Sequence, residues 1–169
     1  MRLLLPPEDV RSYIVKTPHP APGQPILVRV VITDEDHHVL LVRTTGSRSR
    51  WGLPGGIVHL NESPRTAARR EIREELGLDI TVGDLLATEW TQAHTPGRRA
   101  RITLTFIGPR ITREDIDRIV LQASEVDALE WADPTRATTV LHPSIAPLVG
   151  VPLDMPLNTR YHETIPETS

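Results

Sequence analysis

Apolar positions fall along this chain in two rhythms. Residues 26–32, ILVRVVI, form a nearly continuous β-branched run, the pattern of a strand buried on both faces. The polar Asp34-Glu35-Asp36-His37 turns the chain, and residues 39–42 return as a second strand, predicting a hairpin. Trp51-Gly52-Leu53-Pro54-Gly55-Gly56 reads as a loop, and Ile57-Val58 as a short strand. The rhythm then changes, because Ala68, Ile72 and Leu76 recur every four residues and lay an apolar stripe along a helix. Ser63 suits its N-cap, Pro64 its first turn, and Gly77 the left-handed position just past its end. Strands resume over 79–90 and over 101–107, where Ile102, Leu104 and Phe106 alternate with polar or small residues. A further strand is expected over 125–131, and Asp133-Pro134 opens a second helix.

These elements predict one mixed α/β domain over residues 26–150. It lies between an N-terminal arm (1–25) and a Pro-rich C-terminal tail (151–169), where most of the 16 prolines fall. With 38% hydrophobic and 24% charged residues in 169, a single packed core is expected. The formal charge of −3 argues against a nucleic-acid polymer as partner. The absence of cysteine excludes disulfides, thiolate metal sites and a cysteine nucleophile, so any metal must rest on oxygen or imidazole. Leu3-Leu4-Leu5, stopped by Pro6-Pro7, is too short for a signal peptide or a membrane span, and a cytoplasmic protein with no membrane partner is expected. Lys16 is the only lysine, a bias better explained by base composition than by phosphate binding.

The chemistry concentrates on the middle helix. Glu71, Glu74 and Glu75 stand at i, i+3 and i+4, within roughly 100° of arc, so three carboxylates share one face. Hard divalent cations, Mg²⁺ or Mn²⁺, match such oxygens together with substrate phosphates. Taken alone, the segment equally suits a solvated acidic stripe in which Arg70 and Arg73 pair along the helix. Upstream, Gly55 and Gly56 permit a close backbone approach, and Arg70 can reach Glu74 one turn on.

In context the segment reads GIVHLNESPRTAARREIREELGL from Gly56 to Leu78. It has Glu62 after five residues, Arg70-Glu71 after seven more, then Ile72, Glu74-Glu75, Gly77 and Leu78. Every fixed position of the Nudix box is filled, a coincidence expected by chance on the order of 10⁻⁷, and the chain resembles a Nudix hydrolase. The resemblance implies an αβα sandwich with a mixed β-sheet between helices. It also implies Mg²⁺ (or Mn²⁺) on Glu71, Glu74 and Glu75, with Gly56 contributing, and catalytic roles for Glu71, Glu74 and Arg70. Glu62 is expected to orient the others. An acid outside the box is expected as ligand or general base. Glu125, a few residues before Trp131, is the first choice, with Glu89 and Glu114 behind it.

The reaction so implied is attack of water on a diphosphate. The substrate would be a nucleoside diphosphate linked to another moiety, or a nucleoside triphosphate, and the partner a small molecule rather than a polymer. Two alternatives share the fold: a non-catalytic nucleotide-binding regulatory domain, and an enzyme of prenyl diphosphates. Subclass signals leave the substrate open, since His94 stands where ADP-ribose-cleaving members carry proline. Outside the box, Arg29, Arg43, Arg50, Trp51, Gly55 and Gly56 are the candidate substrate-binding residues, Arg29 because an arginine on a central strand needs a partner. Arg48 and His94 are further loop candidates. Trp90 is expected in the core, His59 and His37-His38 at the surface, and the arms in a possible homodimer.

Overall fold

The computed structural model describes residues 23–45, 50–93, 99–143 and 145–149, and the backbone of 160–164. Seven strands form one sheet in the order β3-β2-β1-β5-β4-β7, with β6 pairing on β2. They are β1 (Ile26–Thr33), β2 (Val39–Thr44), β3 (Trp51–Gly52), β4 (Leu85–Thr91), β5 (Arg101–Arg110), β6 (Val126–Ala132) and β7 (Arg160–Thr164). The helices are α1 (Pro64–Leu76), α2 (Arg113–Asp117) and α3 (Pro134–Val140), followed by a 3₁₀ turn, Ala146–Leu148. Among the described residues no helix is long and apolar enough to cross a membrane.

The central strand explains its own sequence. Val28, Val30 and Ile32 turn one way, into a core with Ala67, Ala68, Ile72 and Leu76 of α1. Val31 turns the other way, into a second core with Ala137 of α3, Leu141, Ile145 and Leu148. A sheet covered on both faces needs apolar residues at consecutive positions, hence the unbroken run. This is the mixed sheet between helices that was expected. Ile72 and Leu76 are fully buried, each stabilising by about 1.5–3 kcal/mol.

Helix α1 begins and ends as its sequence dictates. The Ser63 hydroxyl accepts from the Thr66 N–H at 3.2 Å. Gly77 adopts φ 70° and donates back to the Arg73 carbonyl. The predicted hairpin is only partly formed, since β1 and β2 share the single register pair Thr33↔Val39. Residues 54–58 wedge alongside β1 instead. Val28 N donates to the Gly56 carbonyl at 2.8 Å, Val30 N to Pro54 at 3.0 Å, and Val58 N to Ile26 at 2.9 Å. Ile57 therefore makes an isolated bridge to Leu27 rather than a strand. Trp51-Gly52, expected in the loop, pairs with Val42 and Arg43 as β3. The other side of β1 pairs in parallel with β5.

Residues 79–84, expected to be strand, are not. Arg65 takes the Val82 carbonyl at 2.6 Å and that of Gly83, while Gly83 N bonds the Ile107 carbonyl at 2.7 Å. Backbone groups so committed cannot join a ladder. The stretch read as a tail supplies β7, parallel to β4 with Glu89 opposite His162. Trp90 is half-buried and belongs to neither core.

Candidate functional site

One guanidinium organises the acidic face of α1. Arg70 Nε and Nη2 donate to the two carboxylate oxygens of Glu62, both at 3.0 Å. Its Nη1 donates to Glu71 and Glu74, each at 2.9 Å, and Nη2 also reaches the Ile57 carbonyl at 2.9 Å. Three carboxylates hold Arg70 protonated, above its ordinary range, the Glu62 bonds contributing most. The same pairing, with the His59 N–H bond at 3.1 Å, keeps the Glu62 carboxyl below its ordinary value. Glu62 thus closes the loop onto the helix, and Glu71 and Glu74 are drawn to a common point.

Glu75 is held separately. Its Oε2 accepts the Gly55 N–H at 2.9 Å. Burial pushes its carboxyl up to about 8 from 4.5; the Gly55 bond opposes this, and the charges of Glu71, Glu125 and Glu74 add to it. The two glycines matter sterically in different ways. A Cβ on Gly56 would lie 2.4 Å from the Glu71 carboxylate, so the missing side chain is the space in which that carboxylate rests. A Cβ on Gly55, which has φ 142°, would lie 2.1 Å from the Val28 carbonyl oxygen.

Glu125 is exposed, in the loop before β6, near enough for its charge to act on Glu75. Its loop is fastened by a residue the sequence did not single out. Thr45 N donates to the Glu125 carbonyl at 2.9 Å, and Thr45 Oγ1 to that of Ser124 at 2.8 Å. Gln122 N also bonds the Glu75 carbonyl at 3.1 Å, joining this loop to α1. Partners some 80 positions apart leave no local signal.

The remaining candidates divide by place. Arg43 bonds Asp127 at 2.7 Å and lies 5.6 Å over the half-buried Trp51 ring. Arg29 pairs with Glu89 of β4 at 3.4 Å, the partner its strand position called for, and burial lowers its pKa. Arg50 is exposed between β2 and β3, and Glu114 is exposed on α2. Arg48 and His94 lie outside the described residues.

The donor set Glu71, Glu74 and Glu75 is all hard oxygen, with one carboxylate cradled by Gly56 and another buried, and it fits Mg²⁺ or Mn²⁺. Glu71 and Glu74 share Arg70 while Glu75 turns to the Gly55 N–H, and the three carboxylates are not gathered to within 4.8 Å of one another. Among the described residues the only trio that close is Asp34, Asp36 and His38 in the β1–β2 turn. There, Asp34 is occupied in closing the turn, accepting from Asp36 N and His38 N at 2.9 and 2.8 Å.

The family model described as "NUDIX domain" matches residues 23–149. A CTP pyrophosphohydrolase of Escherichia coli K12 is 33% identical over 128 residues, covering 73% of this chain and 88% of that protein. A putative 8-oxo-dGTP diphosphatase of Mycobacterium tuberculosis is 35% identical over 99 residues, covering 56% of this chain and 70% of its own. The crystal structure of a MutT protein from Methanosarcina mazei superposes with a TM-score of 0.64 at 23% identity, over 78% of this chain and 94% of that one, a likeness of fold.

Proposed function

The chain belongs to the Nudix family of pyrophosphohydrolases, and from that premise we propose that it hydrolyses a nucleoside triphosphate, or a nucleoside diphosphate linked to another moiety, with Mg²⁺ or Mn²⁺. The observation that carries the proposal is the Arg70 guanidinium bonded at once to Glu62, Glu71 and Glu74, beside a buried Glu75. Glu71, Glu74 and Glu75 would hold the cation, with the Gly56 backbone alongside. When bound, the cation supplies charge to neutralise the phosphate oxygens and to acidify water.

The protein's own groups do the rest. Arg70 fixes the Glu71 and Glu74 carboxylates in orientation, and the Gly55 N–H fixes Glu75. Glu125, exposed beside them, accepts the proton as water attacks phosphorus and the bridging P–O bond breaks. The products are two phosphate esters, or a monophosphate and pyrophosphate. Arg43 and Trp51 offer a cation and an aromatic face to the substrate.

The CTP and 8-oxo-dGTP named for the two relatives define the first substrates to try. Product analysis would use these, the other nucleoside triphosphates, ADP-ribose, nucleotide sugars and prenyl diphosphates, each with Mg²⁺, with Mn²⁺ and with EDTA. Cation-dependent cleavage of a nucleotide is expected. A folded chain that cleaves nothing in the panel, or only prenyl diphosphates, contradicts the proposal.

A further inference from the structure

Strand β6 does not run straight into the loop that carries Glu125. Leu129 and Trp131 pack on the core beneath α1, so strict alternation would drive Asp127 into that core as well. The register shifts instead, from Arg43↔Ala128 to Thr44↔Val126, and Asp127 becomes the extra residue of a β-bulge. Val126 takes the buried place, and Asp127 turns outward to accept from Arg43 Nε at 2.7 Å. Regular pairing of β2 with β6 ends there.

Beyond the bulge, Thr45 holds the loop in two unlike ways. Its N–H donates to the Glu125 carbonyl at 2.9 Å, as that of any residue but proline could. Its hydroxyl donates to the Ser124 carbonyl at 2.8 Å, a bond that valine, of the same shape, cannot make. Glu125 N donates in turn to the Gln122 carbonyl at 2.9 Å, so both main-chain groups of Glu125 are engaged. Gln122 N bonds the Glu75 carbonyl at 3.1 Å and ties this turn to the last turn of α1. The Glu125 carboxylate itself is exposed, and among the described residues its one hydrogen-bond contact is Gln122 Nε2, at a long 3.5 Å. A proton acceptor is served by this combination: the fixed backbone sets its reach, and the free carboxylate moves between substrate water and solvent.

We propose that Thr45 is a positioning residue whose hydroxyl, through the Ser124 carbonyl, sets the reach of the Glu125 carboxylate toward the attacking water. This rests on the hydrolase reading and on Glu125 as proton acceptor. In Thr45→Val the Ser124 carbonyl, in an exposed turn, is taken up by water, so the melting temperature should hardly move. With CTP and with 8-oxo-dGTP in Mg²⁺, kcat of the full chain should fall about fivefold or more while KM stays within about twofold. Thr45→Ser, which keeps the hydroxyl, should stay within about twofold of wild type. On a Glu125→Gln background, Thr45→Val should cost less than about twofold further, because the group it positions is already gone. Amide exchange followed by NMR reads the same loop without turnover. The Thr45 and Glu125 amides should exchange about tenfold faster in Thr45→Val and as in wild type in Thr45→Ser.

Unchanged kcat or unchanged exchange in Thr45→Val overturns the proposal. So does a Thr45→Ser chain as impaired as the valine variant, or a loss that repeats in full on Glu125→Gln. A loss in Glu125→Gln without one in Thr45→Val removes the role of Thr45 alone. Full kcat in Glu125→Gln removes the proton acceptor and this proposal with it, while leaving cation-dependent hydrolysis standing. A wild type that cleaves neither nucleotide removes the premise and the proposal together.

Discussion

The Gly55 N–H donates to Glu75 Oε2 at 2.9 Å, across 20 positions of sequence. This bond ties the loop wedged beside β1 to the last turn of α1. It also supplies the main force opposing the desolvation of Glu75.

That desolvation has a pH signature. With its carboxyl raised from 4.5 to about 8, Glu75 favours the folded state when protonated. Its contribution is complete below the unfolded value of 4.5 and is lost as pH rises through about 8. In EDTA the chain should therefore melt at a higher temperature near pH 6 than near pH 9, and Glu75→Gln should flatten the difference. Mg²⁺ should stabilise more at the alkaline end, where no proton has to leave first. A wild-type melting temperature that rises across this range would contradict the account.

The neighbouring glycines should fail in opposite ways. Gly56→Ala places a methyl where the Glu71 carboxylate lies, and that flexible end can swing aside. Activity should fall by about tenfold or more with little change in melting temperature. Gly55→Ala meets backbone at a positive φ, and should cost about 1–3 kcal/mol of stability. Denaturant titration and kcat measured on both variants check this, and similar losses of stability in the two would contradict it.

Arg70→Lys retains charge but not the planar fork that serves Glu62, Glu71 and Glu74 together. It should lower kcat by about tenfold or more, and lower stability by about 1–3 kcal/mol. Steady-state kinetics and thermal melts read both. A lysine variant with full kcat would mean that ordering of the glutamates is unimportant.

Local physics made α1 legible in advance. Ser63, Pro64 and Gly77 set its ends, the Ala68–Ile72–Leu76 stripe its buried face, and the glutamate spacing its acidic one. What stayed hidden depends on partners distant in sequence. Nothing in residues 26–33 announces that β1 pairs in parallel with β5, or that residues 54–58 displace β2 from most of its edge. Residues 79–84 have strand-like apolar positions, but Arg65 claims their carbonyls. The short helix α2 rests on a capping box between Thr112 and Asp115 rather than on a periodic stripe. At the site, Arg29 implied a partner without naming Glu89, and Thr45 gave no sign of holding the Glu125 loop.

The central claim is that the glutamates ordered by Arg70 and Gly55 make a cation-dependent centre for diphosphate hydrolysis. Its most direct test is phosphorus NMR of a nucleoside triphosphate incubated with wild type and with Glu74→Gln, in Mg²⁺ and in EDTA. Glu74 is exposed and its replacement leaves both cores intact. The account predicts cleavage by the wild type in Mg²⁺ alone, and a loss of about 100-fold or more in a variant that melts normally. Cleavage that persists in EDTA, or undiminished in Glu74→Gln, would contradict it.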